Sequence, residues 1–346
     1  MVDKVAASVG RQALGIILVI VASLAFGTSG AFAKSLLVTG WSPGAVVTWR
    51  VVIAAVVMVP VGLWALHGRW RLLRRNALQL VAFGFLGVAG AQFFYFNAVA
   101  HLSVAVALLL EYLGILLVVL WVWLVRHQRP HPITAAGMAV AVIGLLFVLQ
   151  VFAGIELSWI GVMWGVLAGT GLATFYLTSS ADEQDALPPL TLAGVGLGVG
   201  ALALTGLSMS GLIPYATAAV DVQIGSMVLP WWVPILEVGL IAAALAYAVG
   251  VAGTRIAGAT VSSFLGLSEV VFAVLVAWLV LGELPGLDQA FGGVLVLLGV
   301  VLVKVGEARG ARSSGAIDPV MEFQAEAEAP AAQASAPDFT SPEPVA

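Results

Sequence analysis

Three charged side chains, Arg50, Glu111 and Glu269, stand six or more residues from either end of runs that are otherwise apolar. A charge at the centre of a bilayer costs at least about 2.5–3.5 kcal/mol on insertion scales, which makes such residues the first candidates for chemistry. Two carboxyls can act as a protonatable pair, or one can take a proton while the other holds a substrate amine. A guanidinium matches a carboxylate with a bidentate fork. Uncharged groups on similar runs extend the set: Gln92 with Tyr95 three residues on, Tyr176 between Thr174 and Thr178, and Tyr247. Each has a structural alternative. A neutral acid can lock helices together, an arginine can pair with a helix carboxylate or snorkel outward, and a polar residue can join two helices.

The elements that must position these residues follow from composition. The chain of 346 residues is 61% hydrophobic and 9% charged, with a mean hydropathy of +1.09. Soluble domains carry about 25% charged residues, so 14 basic and 18 acidic side chains cannot cover a globular surface of this size. A soluble cytosolic enzyme, a nucleic-acid binder and a secreted disulfide scaffold are excluded. There is no cysteine, hence no disulfide, thiolate nucleophile or Cys-ligated metal. His127 and His131 flank Arg129 and Pro130 in a basic loop, so no metal site is expected there. Gly194, Gly196, Gly198 and Gly200 superficially suggest a phosphate loop. They lie inside an apolar run with no preceding strand, and read as close helix packing, as do Gly161, Gly165 and Gly169. No hydrolase-type constellation or Walker motif is visible, so neither catalysis nor a cofactor is expected.

A bilayer core about 30 Å thick needs roughly 20 apolar residues at about 1.5 Å rise each. Ten runs meet this need: 12–38, 44–66, 77–98, 102–125, 133–151, 159–179, 190–212, 232–253, 257–281 and 286–305. The expected fold is all-α integral membrane, with a longer loop at 213–231. Strands are not expected, because the runs lack the alternation of a membrane barrel. With the N-terminus inside, 12 of the 14 Lys and Arg residues fall on the cytoplasmic side, which supports a multi-pass protein of the bacterial cytoplasmic membrane with both termini cytoplasmic. Trp41, Trp159, Trp231 and Trp232 are expected at the outer interface, and Trp64, Trp70, Trp121 and Trp123 at the inner one. Glu111 then lies about 14 Å from the outer end of its span, Glu269 about 18 Å from the cytoplasmic end of its own, and Arg50 about 9 Å deep. Lys34 is expected to snorkel and Glu237 to face water. Lys4, Arg11 and Ala31-Phe32-Ala33 mimic a signal peptide, but the apolar run is too long for one, so a retained first helix is expected.

The chain repeats itself. Ser42-Pro43 recurs as Pro188-Pro189, Pro130 as Pro285, and Gly137 and Gly144 as Gly292 and Gly299. Each half therefore holds five helices, and an odd number inverts the second half relative to the first. The expected organisation is a cytoplasmic N-terminus at 1–11, a first repeat at 12–151, a second, inverted repeat at 159–306, and a disordered cytoplasmic tail at 307–346 rich in Ala, Pro and Glu. Inverted repeats are characteristic of secondary transporters that bind substrate near the midplane between the halves. The repeat does not duplicate the charges. Glu111 maps to Gly266, Glu269 to Gly114 and Arg50 to Gly196, leaving the two acids one helical turn apart on matching faces.

At this level the residues resemble a family. Ser42-Pro43 followed by Arg50, Leu102-Ser103, Leu110-Glu111-Tyr112-Leu113, Ala181-Asp182-Glu183, Leu267-Ser268-Glu269, Gly282-Glu283-Leu284-Pro285 and the glycine-spaced last helix, in this order, resemble the EamA-type transporters of the drug/metabolite transporter superfamily, especially actinobacterial members. The resemblance covers about residues 12–306. It implies a ten-helix carrier that exports or exchanges small metabolites. Where family members often carry Pro shortly after the glutamate of the fourth and ninth helices, this chain has Gly114-Ile115 and Val270. Small amino acids or similar zwitterions are the leading substrate class, since a carboxylate-binding Arg50 and an amine-binding Glu111 would suit them. A membrane sensor signalling through the acidic tail and a lipid-linked flippase are the alternatives. Oligomeric state is open.

Overall fold

The computed structural model describes residues 2–127, 130–149, 158–179, 187–257, 262 and 265–313. Among them ten apolar helices follow one another: α1 (Val2–Leu37), α2 (Pro43–Ala65), α3 (Ala77–His101), α4 (Val104–Val125), α5 (Pro132–Val148), α6 (Trp159–Ser179), α7 (Pro189–Met209), α8 (Trp232–Thr254), α9 (Ser268–Leu281) and α10 (Leu287–Ser313). Seven are long and apolar enough to cross a membrane, and α5, α6 and α9 are shorter apolar helices. Their outward faces carry Ile17, Val56, Leu124, Leu202, Leu279 and Leu298. Such a coat suits lipid and not water. The tail from 314, the Ala181-Asp182-Glu183 segment and Arg129 lie outside the described residues.

Helix starts follow local chemistry. Ser42 accepts from the amide of Ala45 ahead of Pro43, and Ser103 accepts from Val106. Each satisfies one of the donors that a first turn leaves open, and Pro at the first helical position needs no donor partner. The same holds for Pro132 and Pro189.

Counterpart helices of the two halves pack against each other and run antiparallel. On α5 and α10, Gly137 meets Gly299 while Gly144 meets Gly292. These four are the repeat-related glycines, contacting with their partners exchanged, as a two-fold interface requires. On α2 and α7, Gly62 meets Leu190 and Gly194. The first helix of each half crosses to the other half. α1 packs antiparallel to α8 and parallel to α9, with Gly253 on Val19 and Gly27 on Ala273; α6 does the same with α3 and α4, with Gly171 on Ala91 and Gly165 on Leu110.

Two features were not visible in the sequence. α3 and α8 each contain a π-helical stretch, Phe83–Gly90 and Glu237–Leu245, at repeat-equivalent positions. Such stretches are rare and concentrate at functional sites. The loop at 213–231, where no strand was expected, closes into a small hairpin of β1 (Val222–Ile224) and β2 (Met227–Leu229), with Val222 opposite Leu229. The amide of Gly225 donates to the carbonyl of Val280 at 2.9 Å. Preceding loop residues are tied to the α1–α2 turn: Trp41 Nε1 donates to the Ala218 carbonyl at 2.8 Å and Ser42 Oγ to that of Pro214 at 2.8 Å. Trp41 is therefore buried against Trp231 instead of sitting in an interfacial belt.

The glycine contacts predict a pair of opposite outcomes. A Cβ at Gly144 would lie 2.6 Å from the Val296 amide and 2.7 Å from the Gly292 carbonyl, both backbone. Gly144→Ala should cost about 1–3 kcal/mol. A Cβ at Gly206 meets nothing within 4 Å, so Gly206→Ala should leave stability unchanged or raise it by up to about 1 kcal/mol. Thermal melting of the purified protein in detergent reads both.

Candidate functional site

A cavity of about 680 Å³ lies between the halves, lined by residues of α1, α2, α3, α4, α6, α7, α8, α9 and α10. Six of the seven residues singled out from the sequence line it: Arg50, Gln92, Tyr95, Glu111, Tyr247 and Glu269. The side chain of Tyr176 lies outside the described ones. Its neighbours Leu172 and Phe175 line the cavity, while Thr174 and Thr178 hydroxyls donate to the carbonyls of Thr170 and Thr174 in their own helix.

Arg50 is buried at 3% exposure. One terminal nitrogen donates to Ser29 Oγ on α1, the other donates to the Ala242 carbonyl in the π-helical stretch of α8 at 3.1 Å, and the guanidinium carbon sits 5.4 Å from the Phe96 ring centroid. No carboxylate lies within ion-pair distance of it among the described residues. Neither structural role considered for Arg50 from sequence, pairing with a helix carboxylate or snorkelling outward, is seen among the described residues; it ties α2 to α1 and α8 through a hydroxyl and a carbonyl and faces the cavity.

Glu111 and Glu269 sit beside breaks in their helices. α4 runs as Val104–Tyr112 and resumes at Gly114, with a turn at Leu113. Residues 265–266 are helical, Leu267 is a turn, and α9 starts at Ser268. The two turns, 154 residues apart, lie within one residue of repeat equivalence. The fourth and ninth helices were expected to be continuous; each is interrupted without a proline. Just past the first turn the two helices approach closely: the backbone of Gly169 on α6 occupies the space a Cβ at Gly114 would need. Glu111 lies at the C-terminal end of its half-helix and Glu269 in the first turn of its own. Tyr112 Oη is within hydrogen-bond distance of both Glu269 Oε2, at 3.2 Å, and the Gly266 carbonyl, at 3.3 Å. It joins the two breaks across the interface. Tyr112 stands in the Leu110-Glu111-Tyr112-Leu113 motif but was not among the expected site residues. Ser29 and Ser262, also on the cavity wall, gave no signal beyond being polar in an apolar run.

The remaining charges correct two expectations. Glu237 does not face water: one carboxylate oxygen accepts from Thr28 on α1, and Oε2 is buried with no hydrogen-bond partner among the described residues. Lys34 does not snorkel: Nζ pairs with Glu283 Oε1 at 2.5 Å and donates to the Leu102 carbonyl at 2.8 Å, while the other Glu283 oxygen accepts from Val104. Position on the chain, all that the sequence offered, cannot tell which way a helix-end side chain turns. The cavity extends toward the end of the bundle where α1 begins, reaching Pro189, Thr254 and Lys304. At the opposite end stand the Lys34–Glu283 bridge and the hairpin.

Comparison with known proteins agrees with this architecture. The profile of the EamA-like transporter family matches residues 13–150 and again residues 159–305. A protein of Archaeoglobus fulgidus described as an uncharacterized transporter is 27% identical over 229 residues, 66% of this chain and 76% of its own length. A solved crystal structure shares the fold with a TM-score of 0.52 at 20% sequence identity, over 87% of this chain and 97% of that one. With the family profile matching both halves of a bundle built of apolar, lipid-compatible helices, the chain belongs to the EamA-like transporter family.

Proposed function

We propose that this membrane transporter is a secondary-active carrier, exporting or exchanging a small metabolite by alternating access between two inverted five-helix repeats. The observation that carries this reading is the cavity, which gathers Arg50, Glu111 and Glu269 from both halves into one space inside the apolar bundle. Two-fold packing supports it, since an inverted pair supplies equivalent contacts for two equivalent states. In this reading all ten helices cross the bilayer, 1–11 and the tail 307–346 lie in the cytoplasm, and the repeats span 12–151 and 159–306. The membrane is the bacterial cytoplasmic membrane. The exposed Arg69, Arg71, Arg74 and Arg75 follow α2 at the end where α1 begins, which suits a cytoplasmic face. The cavity then faces inward, and the Lys34–Glu283 bridge and the hairpin close the outside. Substrate candidates are small amine-bearing metabolites, amino acids among them, with Glu111 and Glu269 as substrate or proton sites and Gln92, Tyr95, Tyr176 and Tyr247 as further contacts.

Counterflow in proteoliposomes against a panel of amino acids and small metabolites tests the reading. A substrate should emerge whose counterflow falls at least about tenfold in Glu111→Gln, the loss of one charge-assisted contact. A substrate whose counterflow survives the change would keep the carrier and reduce Glu111 to helix packing. The outer bridge predicts a second result. Lys34→Glu alone sets two carboxyls together and should lower counterflow about tenfold, whereas Lys34→Glu combined with Glu283→Lys should restore most of it. If both variants fall equally, the pair has no part in closure.

A further inference from the structure

We infer that the cavity takes an organic amine cation with an apolar body, held through its ammonium group between Glu111 and Glu269, and that a carboxylate on the ligand is not recognised. This rests on the carrier reading and narrows its substrate class. Charge comes first. Two carboxyls, Glu111 and Glu269, line the cavity together with the guanidinium of Arg50, and Lys34 pairs off with Glu283 at the closed end. Lys304 lies at the far end of the cavity, on the last turns of α10.

The guanidinium is also engaged. Its two terminal nitrogens hold Ser29 and the Ala242 carbonyl on different helices, and a carboxylate docking bidentately would have to displace one or both. The site instead presents acceptors. Glu111 has no hydrogen-bond partner among the described residues, Gln92 Oε1 is buried and unpartnered, and Glu269 has the single hydroxyl of Tyr112. An ammonium offers three donors and no acceptor, which complements this set. Phe26, Phe83, Phe175, Tyr95 and Tyr247 line the same space. They suit an apolar body and offer ring faces to a cation.

Equilibrium dialysis of the purified protein with phenethylamine, phenylalanine and 3-phenylpropionate, which share one apolar body, tests the inference, with butylamine and octylamine as competitors. Phenethylamine should bind and be displaced by the alkylamines, phenylalanine should bind about tenfold or more weakly, and 3-phenylpropionate should not bind. Glu111→Gln should weaken phenethylamine about tenfold, with a melting curve to verify its fold. If that variant unfolds, the wild-type ranking decides alone. Binding of 3-phenylpropionate or phenylalanine as tightly as phenethylamine overturns the inference, and so does failure of every amine to bind. Neither result touches the carrier reading, which is decided by counterflow of the wider panel.

Discussion

Backbone-to-backbone approach is the constraint on which the rest of this structure depends. Lipid tails are as apolar as leucine, so helices in a bilayer gain little by hiding apolar side chains from them, and association rests on close packing. Here that closeness is supplied by glycines on counterpart helices: Gly137 with Gly299, Gly144 with Gly292, Gly62 with Gly194. Because the contacts exchange repeat partners, they generate a two-fold arrangement and leave the cavity between the halves. Arg50 spans the same divide, reaching from α2 to α1 and to the π-helical stretch of α8. The scaffold and the charge it encloses are thus parts of one design problem. A buried guanidinium needs oxygen partners, and the crossing of α1 onto the second half places Ser29 where one is wanted.

Close approach recurs beside the turn in the fourth helix, where Gly114 faces the backbone of Gly169 on α6 one residue after Leu113. Backbone that departs from a regular helix inside a bundle is tolerated where it lines a cavity, and Glu111 and Glu269, each two residues from its turn, both line this one.

What could be read from the sequence divides along physical lines. Arg50, Glu111 and Glu269 stood out because a charge in an apolar run is costly wherever it points, and the glycine repeat because small residues leave a direct mark. Orientation around a helix axis was not legible. In a helix apolar on every side, periodicity carries no phase, so Glu237 and Lys34 could not be turned correctly and Trp41 could not be told from a belt residue. The breaks escaped as well. No proline marks them, and the close approach of Gly114 to Gly169 on α6, 55 residues further along the chain, leaves no local pattern. The hairpin depends on Gly225 reaching the end of α9, a contact no local pattern encodes.

A symmetric scaffold with asymmetric chemistry has a consequence for any ligand it holds. If the charges repeated with the fold, Arg50 would face a second arginine and each acid a second acid, and a ligand could bind in either sense. In place of those duplicates the chain has Gly196, Gly266 and Gly114. Two of these glycines let helices close in where charge is missing: Gly196 receives the ring of Phe83, and Gly114 abuts α6, while Gly266 leaves open space on the cavity wall. Close packing and an oriented set of charges are thus achieved by the same substitutions within the repeat.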